Sequence, residues 1–207
     1  MCGILQSIRI GTAARHARVE ALVPVFSETF GFGDYVQLLE RFYGFYRPFE
    51  KNLRLVSGLN TILPDWSERL KLPLLERDLF WLGRTRAELD NLPVCSRLPP
   101  LDSDDLLAGA LYVTEGSTLG GQIITRQLAK ALSLHPGQGS SFFAGHGPET
   151  GSKWREFTAA LCRIAAAGDE SRIVSSAEDT FEAIENWLAS AVEQGGPTES
   201  GLVMERA

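Results

Sequence analysis

The side chains that could do chemistry sit in two short stretches. His16 and Glu20 stand four residues apart, a spacing that places both on one face of a helix. An imidazole that binds a metal through one nitrogen usually donates its other N–H to an acceptor that fixes the ring, and Glu20 is within reach of that role. The second stretch is Tyr112-Val-Thr-Glu-Gly-Ser-Thr-Leu-Gly-Gly-Gln122, where Gly116, Gly120 and Gly121 interrupt a segment of otherwise helical character, with Gly109 before it. Each glycine costs a helix about 1 kcal/mol relative to alanine, so something must offset the cluster. Gly116 and Gly120 share a face, and a glycine face lets backbone come into van der Waals contact with a flat partner. That partner is either a planar ligand or another helix.

A plainer reading stands beside each of these. His16 and Glu20 also read as a solvated helical pair, and the glycines as a close helix-packing surface of the small-xxx-small kind. Ser117 and Thr118 can hydrogen-bond back to the helix or orient water beside a ligand. Glu115 reads as exposed, and His135, next to Pro136, as solvent-facing. His146, in Ala-Gly-His-Gly-Pro, reads as a loop histidine with no acid nearby, and Trp81, Trp154, Phe157 and Trp187 as core.

The elements that position these residues have helical period throughout, and no alternating β pattern persists beyond a few residues. The expected class is all-α. Helices are expected over 7–23, ending at Pro24; over 34–55, with Pro48 a kink or break; and over 74–82. A long helix should open at Asp102 or Ser103, with Asp104 and Asp105 in the first turn, and run to about Leu132. A Gly/Pro-broken segment over 142–150 precedes helices over 153–167 and 176–192, and 194–207 reads as a flexible tail.

Composition narrows the function classes. The 207 residues are 44% hydrophobic and carry a formal charge of −6, enough for one core and the wrong sign for nucleic acid. The first twenty residues run against that balance, because Arg9, Arg15 and Arg18 meet no acid before Glu20. Such a patch suits a small anionic ligand. Cys2, Cys95 and Cys162 are odd in number, far apart and in no CxxC spacing, which points to neither a zinc site nor a disulfide framework and to a reducing, cytoplasmic setting. No run approaches the roughly 18–20 apolar residues of a membrane span. Paired Glu-x-x-His motifs are lacking, which argues against a carboxylate di-iron enzyme, and so are flavin and nicotinamide fingerprints.

Taken together, the two stretches resemble a known family. Thr12-Ala-Ala-Arg-His16-Ala-Arg-Val-Glu20 is similar to the proximal-ligand motif of heme oxygenases, and Glu115-Gly-Ser-Thr-Leu-Gly-Gly121 to the distal-helix motif of their bacterial branch. Phe142-Phe143, then Gly145, Gly147, Gly151 and Trp154-Arg-Glu-Phe157, match the family's later region in order and spacing. The resemblance covers residues 8–165. It implies a single domain over 1–193, with heme between a proximal N-terminal helix and a kinked, glycine-rich distal helix. His16 would be the iron ligand and Glu20 its hydrogen-bond partner. Gly116, Ser117, Gly120 and Gly121 would line the distal face, and Arg9 would bind the heme propionates, with Lys153 and Arg163 as further candidates. The implied reaction takes heme, O₂ and electrons to biliverdin, CO and ferrous iron, with a ferredoxin or flavin reductase as external donor. Mammalian members carry an aspartate where this chain has Ser117, which keeps open a non-catalytic heme- or bilin-binding protein on the same fold.

Overall fold

A computed structural model of the chain describes residues 2–194, with side chains to residue 190. Among these residues the structure is helical without strands, as the periodicity predicts. The first helix, α1, spans Gly3–Ala21, and α2 spans Phe32–Leu53. Pro48 lies inside α2 without ending it. Two short pieces follow, α3 (Leu59–Ile62) and a 3-10 turn (Trp66–Arg69), then α4 (Leu72–Trp81) and α5 (Arg86–Asn91). Thr85 caps α5, accepting from the Glu88 backbone while the Glu88 carboxylate accepts from the Thr85 N–H, a reciprocal box written in Thr85-Arg-Ala-Glu88.

The long helix α6 runs Asp104–Leu132 and is the kinked helix of the fold. Its N-cap is Ser103, whose hydroxyl accepts from the Leu106 N–H. The side-chain hydroxyls of Ser117, Thr118 and Thr125 donate to carbonyls of the preceding turn, the geometry that bends a helix. After it come α7 (Ser141–Ala144), a 3-10 turn (Gly147–Glu149), α8 (Thr150–Ala167) and α9 (Glu170–Gln194). The tail expected over 194–207 lies outside the described residues except for Gln194, the last residue of α9.

The packing makes α9 a floor. It lies against both α6 and α1, while α1 and α6 barely meet. Helices α1 and α9 run parallel, as successive pairs show: Arg15 with Glu182 at 2.8 Å and Arg18 with Glu185 at 2.6 Å. Helix α8 runs antiparallel to α6, since the Asp169 N–H donates to Asp105 and the Gln122 side-chain amide donates to Thr150. Gly109 sits where α9 backbone crosses α6 closest, with no room for a Cβ, so this glycine serves helix packing. No described helix is long and apolar enough to cross a membrane.

Two expectations fail in the packing. Trp81 is half exposed (49%), although its ring rests against the turn at Gly139. Cys2 and Cys162 are joined in a disulfide with Cα atoms 6.1 Å apart, tying the start of α1 to α8. Spacing could not reveal a pair 160 residues apart that only the packing of α1 on α8 brings together.

Candidate functional site

Helices α1 and α6 both pack on α9 and barely meet each other, and the candidate groove is the space between them. On the α1 wall the His16 side chain is 57% exposed, and its Nε2 is 3.7 Å from Glu20 Oε1, too long for a hydrogen bond. The pair has the expected spacing, but the carboxylate does not anchor the ring. That task falls to Phe181 of α9, whose ring meets His16 edge-on at 5.5 Å between centroids. Nothing in the sequence singled out Phe181, because it reads as one core position among many.

On the α6 wall the glycines separate by role. A Cβ on Gly120 would meet nothing, so this residue faces open space. A Cβ on Gly116 would stand 3.6 Å from the Trp154 ring, an ordinary contact. Gly121 points elsewhere: its Cα lies against the Phe143 carbonyl so closely that a side chain has no room, and α7 packs there. The helix-packing reading holds at Gly109 and Gly121, while Gly120 is left open. Ser117 is exposed, and Leu119 and Ile123 beside it leave 42% and 56% of their surface uncovered. An exposed imidazole on α1 and an open glycine on α6 beside the uncovered Leu119 and Ile123 are features that a flat, largely apolar, metal-bearing ligand would use.

The cations sort themselves too. Arg15 and Arg18 of the basic N-terminal patch are matched by α9 acids, whereas Arg9 has no ion-pair partner among the described residues. It lies near Tyr112 of α6: burial raises the Tyr112 pKa, and the Arg9 charge opposes the rise. The Arg9–Tyr112 approach marks one end of the groove, and His16 lies seven residues further along α1, about 10 Å on. Lys153 is engaged elsewhere, its Nζ held by Asp65 and Glu68. Arg163 lines a cavity with Asp104 and Asp105 at the opening of α6, fifteen residues and about 22 Å along the helix from Gly120. Of the three expected propionate cations, the fold leaves Arg9 beside the groove.

Behind the glycine wall the structure holds a buried charge cluster. Glu115, expected at the surface, is 4% exposed. Its Oε2 accepts from the Arg69 guanidinium at 2.7 Å, and Lys71 Nζ lies 3.6 Å from its Oε1. Arg69 also donates to Asp65 and Glu156 and to the Lys153 carbonyl. Burial raises the Asp65 carboxyl, but the Arg69 and Lys153 cations outweigh it and pull the pKa down to about 2. His146 is brought in as well: Gly145 and Gly147, at φ +53° and +54°, let the chain double back on both sides of it. Its Nε2 stops 4.0 Å from Glu115, so the histidine does have an acid neighbour. Burial and then the Lys71 charge push its pKa below the usual value against the pull of Glu115, which favours neutral imidazole.

Tyr46 of α2 is a buried phenol in the same interior: burial pushes its pKa up against the influence of the Ser117 hydroxyl, and Glu50 and Glu115 add to the rise. Glu50 is 3% exposed and accepts from the Lys71 and Leu72 backbone N–H groups through Oε1. Burial raises its pKa to about 7 against those bonds. Sequence reasoning passed over Glu50, although a signal was there: it occupies the apolar face of α2 with Tyr46, Phe49 and Leu53.

Known proteins of similar sequence and fold identify the family. The sequence profile of the family described as "Heme oxygenase" matches residues 3–190. A heme oxygenase of Xanthomonas campestris pv. campestris (strain 8004) is 31% identical over 164 residues, covering 75% of this chain and 89% of that protein. The fold is similar to the structure of heme oxygenase from Leptospira interrogans (TM-score 0.71, 22% identity, 92% of this chain and 100% of that one). It is equally similar to the NO- and CO-bound heme oxygenase from Neisseria meningitidis (TM-score 0.73, 20% identity, 98% of each chain). With the profile spanning nearly the whole chain and a curated relative above 30% identity, this protein belongs to the heme oxygenase family.

Proposed function

We propose that this heme oxygenase cleaves heme to biliverdin, CO and ferrous iron in the groove between α1 and α6, with His16 as the protein ligand to iron. The observation that carries the reading is the pairing of an open imidazole on one wall with open space over Gly120 on the other. Bound heme supplies the iron at which O₂ is activated by electrons from outside. The chain's part is positional. His16, steadied by Phe181, fixes the iron side; Gly116 and Gly120 keep side chains out of the space above the ring, so that oxygen can reach a porphyrin edge. Arg9, which has no ion-pair partner among the described residues, would bind a propionate at the groove's end. Ser117, which donates to the Thr114 carbonyl at 2.8 Å, presents its oxygen as an acceptor for water.

Electrons come from an external donor such as a ferredoxin or flavin reductase, since the chain has no flavin or nicotinamide fingerprint. Dependence on such a donor supports a cytoplasmic site of action. The test is hemin titration of purified protein. The parent should bind one hemin with an imidazole-type Soret band, and His16→Ala should abolish or grossly alter that band while His135→Ala leaves it unchanged. An unaltered His16→Ala spectrum would remove His16 as the ligand.

A further inference from the structure

The Cys2–Cys162 bridge stands in tension with a reaction that draws electrons from a reduced pool. In reducing compartments a disulfide is usually transient and redox-sensing rather than a permanent strut. Both of its cysteines are partly exposed, so a dithiol can reach them. Cys95 takes no part: it is 6% exposed, and burial pushes its thiol pKa up, which suppresses the thiolate that exchange requires.

The bridge also sits where it can act on the groove. Helix α1 carries His16 and Arg9 yet buries just Ile4, Ile8 and Thr12, all in its first half. Beyond Thr12 its polar ties to α9 are Arg15–Glu182 and Arg18–Glu185, exposed pairs that add little. At its start the disulfide fixes it to α8. Helix α8 in turn backs the other wall: eight residues before Cys162, about 12 Å along the helix, the Trp154 ring packs over Gly116 and lies 5.6 Å from the Tyr112 ring of α6. Because α1 and α6 barely meet, the bridge is a covalent strap between the helix of one wall and the helix behind the other. Cys2 lies seven residues from Arg9, about 10 Å, toward the end of the groove where Arg9 approaches Tyr112.

We propose that Cys2 and Cys162 form a reversible redox site that controls how long the groove holds its ligand: the disulfide holds α1 in place and slows exchange of heme and bilin, and its reduction frees α1 and speeds exchange. The reductant is a dithiol. One of its thiolates attacks a bridge sulfur, the Cys2–Cys162 bond breaks as a mixed disulfide forms, and the second sulfur of the dithiol then displaces the cysteine still bound. Two electrons and two protons end on Cys2 and Cys162, and the reductant leaves as a disulfide. A disulfide oxidant runs the exchange backwards and closes the strap. Reduction does not unfold the molecule, because Ile4 and Ile8 stay in the core; it removes the cross-link that suppresses local opening of a sparsely buried helix. The conditions that supply turnover electrons thereby also favour product release.

This inference rests on the heme oxygenase reading above, and its test keeps the two apart. Heme-free parent is reduced with dithiothreitol, freed of reductant without air and compared with the oxidised parent, intact mass reporting the bridge in each sample. Hydrogen exchange should be faster along α1 in the reduced form and unchanged along α2. After loading with hemin, transfer of hemin to apomyoglobin should be about tenfold faster from the reduced form, a modest part of what cross-linking so long a loop can contribute. Cys2→Ser and Cys162→Ser should match the reduced parent with or without dithiol, and Cys95→Ser should keep the full response. Oxidised parent without the bridge by mass, or a transfer rate indifferent to the bridge even where the melting temperature shifts, would overturn the proposal while leaving hemin binding and turnover intact. If the parent binds no hemin, the underlying reading fails and this inference with it.

Discussion

The Glu115 carboxylate and the Arg69 guanidinium meet at 2.7 Å with side chains only 5% and 2% exposed, directly behind the glycine wall of the groove. Glu115 immediately precedes Gly116, so this ion pair sets where α6 lies against the 3-10 turn that carries Arg69. Removing one partner of a buried pair strands the other charge, which costs about 3–5 kcal/mol. Arg69→Met should therefore lower unfolding free energy by that order, read as a falling denaturant midpoint at unchanged slope. A loss below about 1 kcal/mol would mean that solvent reaches the cluster.

Glu50 predicts an unusual pH dependence of stability. Its pKa rises from 4.5 unfolded to about 7 folded, so the folded protein holds the proton more tightly. The stability it contributes is fully present below pH 4.5 and is lost as pH rises through about 7. Glu50→Gln removes this loss, so above pH 8 the variant should be the more stable protein, by up to about 3 kcal/mol. Its advantage should disappear near pH 5. Chemical denaturation at both pH values checks the sign.

His146 runs the other way. Its folded pKa lies below 6.5, so its contribution is present above that value and is lost as pH falls through the folded pKa. NMR titration should find His146 titrating below 6.5.

The two neighbouring glycines should respond differently to substitution. A side chain on Gly120 enters open space, so Gly120→Leu should keep or raise helicity and thermal stability while hemin binding and turnover collapse. A side chain on Gly121 collides with the Phe143 backbone, so Gly121→Leu should unfold the α6–α7 contact with or without heme. Thermal melts of the heme-free variants distinguish the outcomes, and equal melting temperatures would merge the two roles.

The Cys2–Cys162 bridge closes a loop of 160 residues. Chain-entropy reasoning gives such a bridge about 3–5 kcal/mol. Cys2→Ser, or a dithiol reductant on the parent, should lower the melting temperature, and the parent's intact mass should be two hydrogens below the all-thiol value. A mass matching three free thiols would refute the pairing.

Much of this was legible in the sequence because the cues are local. Helical period placed α1, α2, α6, α8 and α9 to within a few residues at most ends, and the start of α6 was written in Ser103-Asp104-Asp105. Helix α9 starts six residues before its expected beginning, since Glu170 and the following polar turn carry little apolar signal. The His16–Glu20 face and the glycine cluster were visible as spacings. What sequence could not show depends on contacts between distant elements: which glycine meets α7 and which meets open space, the Phe181 edge on His16, and the burial of Glu115. Charged side chains read as solvated by default, and only the convergence of α2, α4, α6 and the Gly145–Gly147 turn reveals that Glu50, Lys71, Glu115 and His146 share one interior.

The central claim is tested most directly by single turnover of the hemin complex in air with ascorbate or a ferredoxin system, catalase being present to remove free peroxide. The account predicts that the Soret band decays as biliverdin absorption rises and CO is released, and that His16→Ala loses this conversion. Heme that stays intact under those conditions, or vanishes without a bilin, would contradict it and leave a heme-binding protein on this fold.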